Sequence, residues 1–167
     1  MKQIKDKVKC ERAIEKLELE KEFDTQNLEF QIYQYEKGEL LCQPCNSDDG
    51  LQIVIEGTVN IYHIRDDGSK YFIAMNEGIH LLGDMEFMNP APCIYFVEAV
   101  SPVTVAVLSL KKYRNVLKQD VKFMNLIAST LAANGESVSA SLKDRILNHL
   151  EDEKIVAKCG KGTYWLL

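Results

Sequence analysis

Residues Gly83–Val105 read G-D-M-E-F-M-N-P-A-P-C-I-Y-F-V-E-A-V-S-P-V-T-V. A glycine, an acidic residue and a short apolar turn lead into a strand-like segment that closes on V-E-A. Short β-branched stretches lie on either side. No Arg or Lys occurs between Lys70 and Lys111, so the whole stretch carries no cation of its own.

Upstream, the texture is a series of short β-branched and aromatic segments. Phe30–Tyr35, Glu39–Gln43, Leu51–Glu56, Thr58–Arg65, Lys70–Met75 and Ile79–Leu82 precede the turn, and Ile94–Ala99 and Val103–Leu108 follow it. Lys37-Gly38, Ser47-Asp48-Asp49-Gly50, Asp66-Asp67-Gly68 and Asn76-Glu77-Gly78 punctuate them with residues that tolerate positive φ. Asp67-Gly68, set between Ile61…Ile64 and Tyr71…Ile73, marks a hairpin. About eight short strands at regular spacing predict a β-sandwich or jelly roll. Residues 2–22 alternate charges around Ile4, Val8, Ala13, Ile14 and Leu17, the spacing of a surface helix that ends at Asp24-Thr25-Gln26-Asn27.

Downstream of Ser109 the period becomes helical. Lys111–Lys118 is a short helix, and from Asp120 a second, longer one carries Met124, Ile127, Leu131, Asn134 and Val138 at alternating spacings of three and four. That pattern is a coiled-coil seam and predicts a homodimer, with the small residues Ala128, Ala132, Ala133 and Gly135 allowing a partner helix to approach. The alternative is that the stripe packs back on the β-roll. Gly135 weakens the helix by about 1 kcal/mol relative to alanine. Lys143–Leu150 is a further short amphipathic helix.

Composition bounds the function. The chain has 167 residues, 46% hydrophobic and 27% charged, which fits one globular domain with an appendage. A net charge of −5 leaves no basic footprint for nucleic acid over these residues. No apolar run is long enough to span a membrane, and the N-terminus M-K-Q-I-K-D-K-V-K has no signal-peptide h-region, so a cytoplasmic protein is expected. The five cysteines, Cys10, Cys42, Cys45, Cys93 and Cys159, are odd in number and read as reduced thiols. Cys42-Gln-Pro-Cys45 could hold half a metal or redox site, but there is no matching second pair, and two small residues at a strand end is the plainer reading.

The stretch from Gly83 resembles the phosphate-binding cassette of cyclic-nucleotide-binding domains. Such a cassette presents backbone N–H groups at the start of a one-turn helix, where they attract an anion. The order of helix, jelly roll, cassette and long helix resembles the catabolite-activator (CRP/FNR) family of bacterial transcription regulators over about residues 28–150. The run I-V-I-E-G-T-V-N-I-Y-H-I-R-D-D-G-S-K, with Gly57 at its turn, is similar to that family's strand–glycine–strand hairpin. Tyr113–Leu117 and the helix containing Phe123 look closest to the YeiL-type branch. The resemblance implies an N-terminal helix over 1–27, a cyclic-nucleotide-binding-like β-roll over 28–110 and a short helix plus long dimerisation helix over 111–141. Residues 142–167 would open a winged helix-turn-helix, truncated before its recognition helix. It also implies ligand-pocket residues. Gly83 matches the cassette glycine, Asp84 falls where a glutamate binds the ribose 2′-hydroxyl, and Cys93 falls on the arginine that grips phosphate. Met85 and Ile94 flank these, and Ser137 lies where the long helix reaches the purine. Without the arginine, cyclic AMP is not expected as a tight ligand. DNA would be reached only through the missing helix-turn-helix, and any effector would be another small molecule.

Two rivals share the fold. A cupin-type metal enzyme needs histidines and a carboxylate converging on one metal, yet His63 and His80 fall in different β segments with no H-x-H pair. A stand-alone ligand-binding module, never joined to a DNA reader, is the other. No G-x-S-x-G, G-x-x-x-x-G-K or H-E-x-x-H occurs, so no enzyme activity, cofactor or metal is expected.

Overall fold

A computed structural model describes residues 1–44, 50–65, 67–88, 93 and 95–132, together with the backbone of 156–160 and 163–166. The chain forms two compact units, Met1–Leu131 and Ala132–Leu167. In the first, strands β1 (Lys2–Ile4), β2 (Gln31–Tyr35), β4 (Gly50–Glu56), β7 (His80–Leu82) and β9 (Val103–Ser109) make one antiparallel sheet in the order β1-β2-β9-β4-β7. Strands β3 (Leu40–Cys42), β5 (Thr58–Ile64), β6 (Lys70–Glu77) and β8 (Phe96–Ala99) make the second, ordered β3-β8-β5-β6. This is the jelly roll that the strand spacing predicts.

Two apolar layers hold it together. Between the sheets, Tyr35, Leu41, Val54, Val59, Val97, Ala99, Val103 and Val105 form the interior of the roll. On the opposite face of the first sheet, Ile32, Leu51, Ile53, Ile55, Ala106 and Leu108 pack against a helical layer carrying Leu17, Phe23, Leu110, Leu117, Phe123 and Ile127. Strand β4 is therefore covered on both faces, which is why Ile53-Val54-Ile55 reads as a continuous apolar run rather than alternating. Gly57 turns the chain from β4 to β5 at φ +107, and a Cβ there would run into the Pro102 carbonyl. Only glycine fits this turn.

The N-terminal segment departs from a single helix. Lys2–Ile4 pairs with β2, so Ile4 belongs to a sheet edge. Asp6 then caps helix α1 (Lys7–Glu15), its side chain accepting from the Val8 and Lys9 amides. Helix α2 (Leu19–Glu22) follows a break at Glu18, whose φ of 44 is left-handed. Val8 is exposed, whereas Leu17 and Phe23 supply the contacts to the core. The helical spacing was right for α1, but its cap at Asp6 releases the first residues to pair as a strand.

After β9 comes α4 (Leu110–Leu117), and then a helix, α5, over residues 121–132. In the second unit Val156–Gly160 (β10) pairs antiparallel with Thr163–Leu166 (β11). Residues 163–166 are thus strand. Thr163, Tyr164 and Trp165 are residue types that favour an extended chain. The expected helix over 143–150 lies outside the described residues.

Candidate functional site

The cassette begins where β7 ends. Gly83 takes φ +88, and a Cβ on it would sit 3.2 Å from the Gly50 carbonyl oxygen. That close backbone approach on β4 fixes the glycine and with it the start of α3 (Asp84–Met88). The Phe87 amide closes the turn on the Gly83 carbonyl at 2.9 Å. Phe87 is fully buried, edge-on to Phe123 at 5.0 Å between ring centroids, and Phe123 in turn stacks on Phe23 at 5.1 Å. The turn is thus anchored from below by an aromatic cluster on α5. One cation also reaches it, but at its far end. Arg114 on α4 donates to the carbonyls of Glu86 and Phe87, at 3.1 and 2.6 Å, satisfying the C-terminal acceptors of the short helix.

At the other side of the cassette the position expected to grip phosphate holds a thiol with a thiol partner. Cys42 on β3 donates to Cys93 at 2.9 Å between sulfurs, and Cys93 donates to the Tyr95 carbonyl at 3.3 Å. The thiol donated by Cys42 holds Cys93 below the ordinary thiol range, against partial burial and the neighbouring Glu86 carboxylate, which both push it up. Asp84 is 7% exposed, a buried acid rather than one open to solvent, while Met85 is 50% exposed. Ile94 and Ser137 lie outside the described residues. The Cys42–Cys93 contact and the reach of Arg114 to α3 were not legible in the sequence, since 51 and 27 residues separate the partners and neither pair has a motif.

The seam expected on the long helix divides. Ile127 is 1% exposed within its own chain, and Met124 and Leu131 lie partly buried against the same core. Ile127 thus packs into the core of its own chain, over the outer face of the first sheet. Asn134 and Val138 lie outside the described residues. The face of α5 left open carries Val121, Asn125, Ala128 and Ala132, again spaced four, three and four apart.

A second concavity of about 610 Å³ opens across β2, β9 and β4, lined by Phe30, Tyr33, Tyr35, Gln52, Lys112 and Tyr113 among others. Gln52 is buried there with its Oε1 lacking a hydrogen-bond partner among the described residues. His63 and His80 stand in different sheets, on β5 and β7.

Residues 32–120 match the family described as Cyclic nucleotide-binding domain. No curated protein matches the chain in sequence. Among solved structures, the chain resembles a regulatory subunit of a cAMP-independent protein kinase A from Trypanosoma brucei, 21% identical with a TM-score of 0.56. That likeness covers 68% of this chain and 41% of the other, so the chain spans about two fifths of the kinase subunit's length. It also resembles the c-di-GMP responsive global regulator CLP of Xanthomonas campestris, with 16% identity, a TM-score of 0.64, and 86% and 72% of the two chains covered. The Thermus thermophilus catabolite activator protein is 16% identical with a TM-score of 0.56, over 98% of this chain and 91% of that one. These likenesses show a shared fold. The match spans the roll from β2 to the start of α5 and includes Gly83, α3 and Cys93, and on it the chain belongs to the cyclic nucleotide-binding domain family.

Proposed function

We propose that this chain is the sensor and dimerisation portion of a CRP/FNR-type transcription regulator whose pocket has lost its grip on cyclic nucleotide phosphate. It is a cytoplasmic binding module rather than an enzyme. The observation that carries this reading is Cys93. Where the resemblance expects a guanidinium there is a thiol bonded to Cys42, with the Glu86 carboxylate beside it. Arg114, a cation that touches the cassette, serves carbonyls at the opposite end of α3. A phosphate seated at Gly83 would lack the guanidinium that the resemblance expects at position 93, and losing charge-assisted bonds removes about 1.5–3 kcal/mol each. The Trypanosoma brucei relative of this fold is itself described as cAMP-independent, which fits a roll kept without that ligand.

Dimerisation belongs to the same reading and uses the open face of α5, where small side chains let a second helix approach closely. The decisive experiment is calorimetry with cyclic AMP. The unmodified chain is expected to bind weakly or not at all. Cys93→Arg combined with Asp84→Glu should gain at least about tenfold in affinity, the scale of one charge-assisted bond. Glu86→Gln added to that background should extend the gain by freeing the new guanidinium. Micromolar binding by the unmodified chain would overturn the reading of a degenerate pocket.

A further inference from the structure

We propose that Cys42 and Cys93 form a reversible disulfide site that reacts with a two-electron oxidant of the hydroperoxide class. The inference rests on thiol geometry alone and stands whether or not the regulator reading holds. The two residues are 51 positions apart, yet their sulfurs lie 2.9 Å from each other. The backbone holds them there: β3 pairs with β8 through Leu40↔Glu98 and Cys42↔Val97, with a register shift between, and Cys93 sits just ahead of β8. Both side chains are half-buried, so a small oxidant can reach them while the strands keep them paired. Moving the sulfurs to a bond of about 2 Å asks for less than about 1 Å of travel. Cys10, by contrast, gives its thiol to the Ile4 carbonyl at 3.3 Å.

Cys93 is the attacking sulfur, because the hydrogen bond donated by Cys42 favours its thiolate. The thiolate attacks one oxygen of the hydroperoxide; a sulfur–oxygen bond forms, the oxygen–oxygen bond breaks, and the alcohol or water leaves with a proton. Cys93 is then a sulfenic acid. The Cys42 sulfur attacks the Cys93 sulfur, the sulfur–sulfur bond forms, and hydroxide leaves as water with the Cys42 proton. Two thiols have lost two electrons and one peroxide has gained them. A dithiol reductant reverses the step by exchange. The bridge ties β3 to the segment that leaves the cassette, at the position where the anion grip is missing.

The test uses the full unmodified chain, reduced, then exposed to hydrogen peroxide and alkylated. Intact mass is expected to fall by about 2 Da before alkylation, and two of the five thiols should resist the alkylating agent. Peptide mapping should recover one cross-link, Cys42 to Cys93, that dithiothreitol removes. Cys45→Ser should form the same bridge at an unchanged rate. Cys42→Ser should instead leave a sulfenic acid on Cys93 that dimedone traps. A Cys42–Cys45 bridge in the unmodified chain overturns the proposal, and so does alkylation of both Cys42 and Cys93 after oxidation. Because the unmodified chain alone decides between these results, misfolding of a variant leaves the test intact.

Discussion

Asp24 and Asp120 cap one another across 96 residues of sequence: the Asp24 amide donates to both carboxylate oxygens of Asp120, at 3.1 and 3.0 Å, and Asp24 Oδ2 accepts from the Lys122 amide at 3.3 Å. Asp120 also takes the amides of Thr25 at 2.8 Å and Phe123 at 3.0 Å, so one buried carboxylate starts α5 and pins the end of the N-terminal segment to it. Burial pushes its pKa up, but these amide bonds outweigh that and hold it below the ordinary 3.8. Asp120→Ala should cost about 2 kcal/mol or more in urea unfolding, with Asp120→Asn costing less. A carboxylate with a lowered folded pKa stabilises above its unfolded value and loses that contribution as pH falls through the folded one. The gap between wild type and Asp120→Ala should therefore shrink below pH 3.8. An unchanged gap would assign the loss to packing instead.

His80 gives the opposite end of the pH scale. Its Nδ1 donates to the Gly78 carbonyl at 2.8 Å while Nε2 is buried with no partner among the described residues. Burial lowers its pKa from the ordinary 6.5, only partly offset by the Gly78 carbonyl. The fold therefore holds a neutral ring, and stability should be complete above pH 6.5 and decline as pH falls below it through the folded value. Urea midpoints at about pH 7.5 and about pH 5.5 should differ in the wild type and converge in His80→Asn, whose amide can still serve Gly78.

Gln52 interrupts the apolar run of β4, and its Oε1 is buried without a partner among the described residues while its Nε2 makes a long 3.4 Å bond to the Leu41 carbonyl. Replacing a half-satisfied amide by a hydrocarbon of similar length removes a desolvation cost. Gln52→Met is expected to be neutral or to stabilise by up to about 1 kcal/mol in chemical denaturation. A loss beyond about 1 kcal/mol would show that the oxygen has a partner in solution.

The open face of α5 sets the dimer test. Val121 is 66% exposed, and Ala128 points outward one heptad later, so Ala128→Glu should turn a dimer into a monomer in sedimentation without loss of helicity. Leu131→Arg is the less informative change, because Leu131 also packs on its own core. A dimer that persists in Ala128→Glu would move the interface elsewhere.

Strand positions were legible because turn residues and β-branched runs are local signals: Asp67-Gly68 and Gly57 mark their hairpins, and β2 through β9 all form where the spacing placed them. The long-helix stripe was legible as a stripe, but not as to what it covers. Periodicity gives the apolar face of a helix and not its neighbour, so the stripe holding Ile127 read as a dimer seam, with a lid on the roll as the alternative. Cys93 was singled out for the cation it replaces. That Cys42 meets it, and that Arg114 grasps the far end of α3, depend on tertiary contacts no short motif encodes. The short strand at Lys2–Ile4 escaped because its few residues look helical until Asp6 is given its role as a cap.

Phe123 has a consequence for how the site can respond. Its ring is gripped edge-on by Phe87 from the cassette and face-on by Phe23 from the N-terminal segment, all within one close-packed cluster. Packed aromatic rings exchange between discrete arrangements and do not bend by degrees. A displacement of α3, whether by an anion, a bridge at Cys93 or a substitution, would have to repack the Phe123 ring, so that one side chain on α5 is the joint between the cassette and the helix.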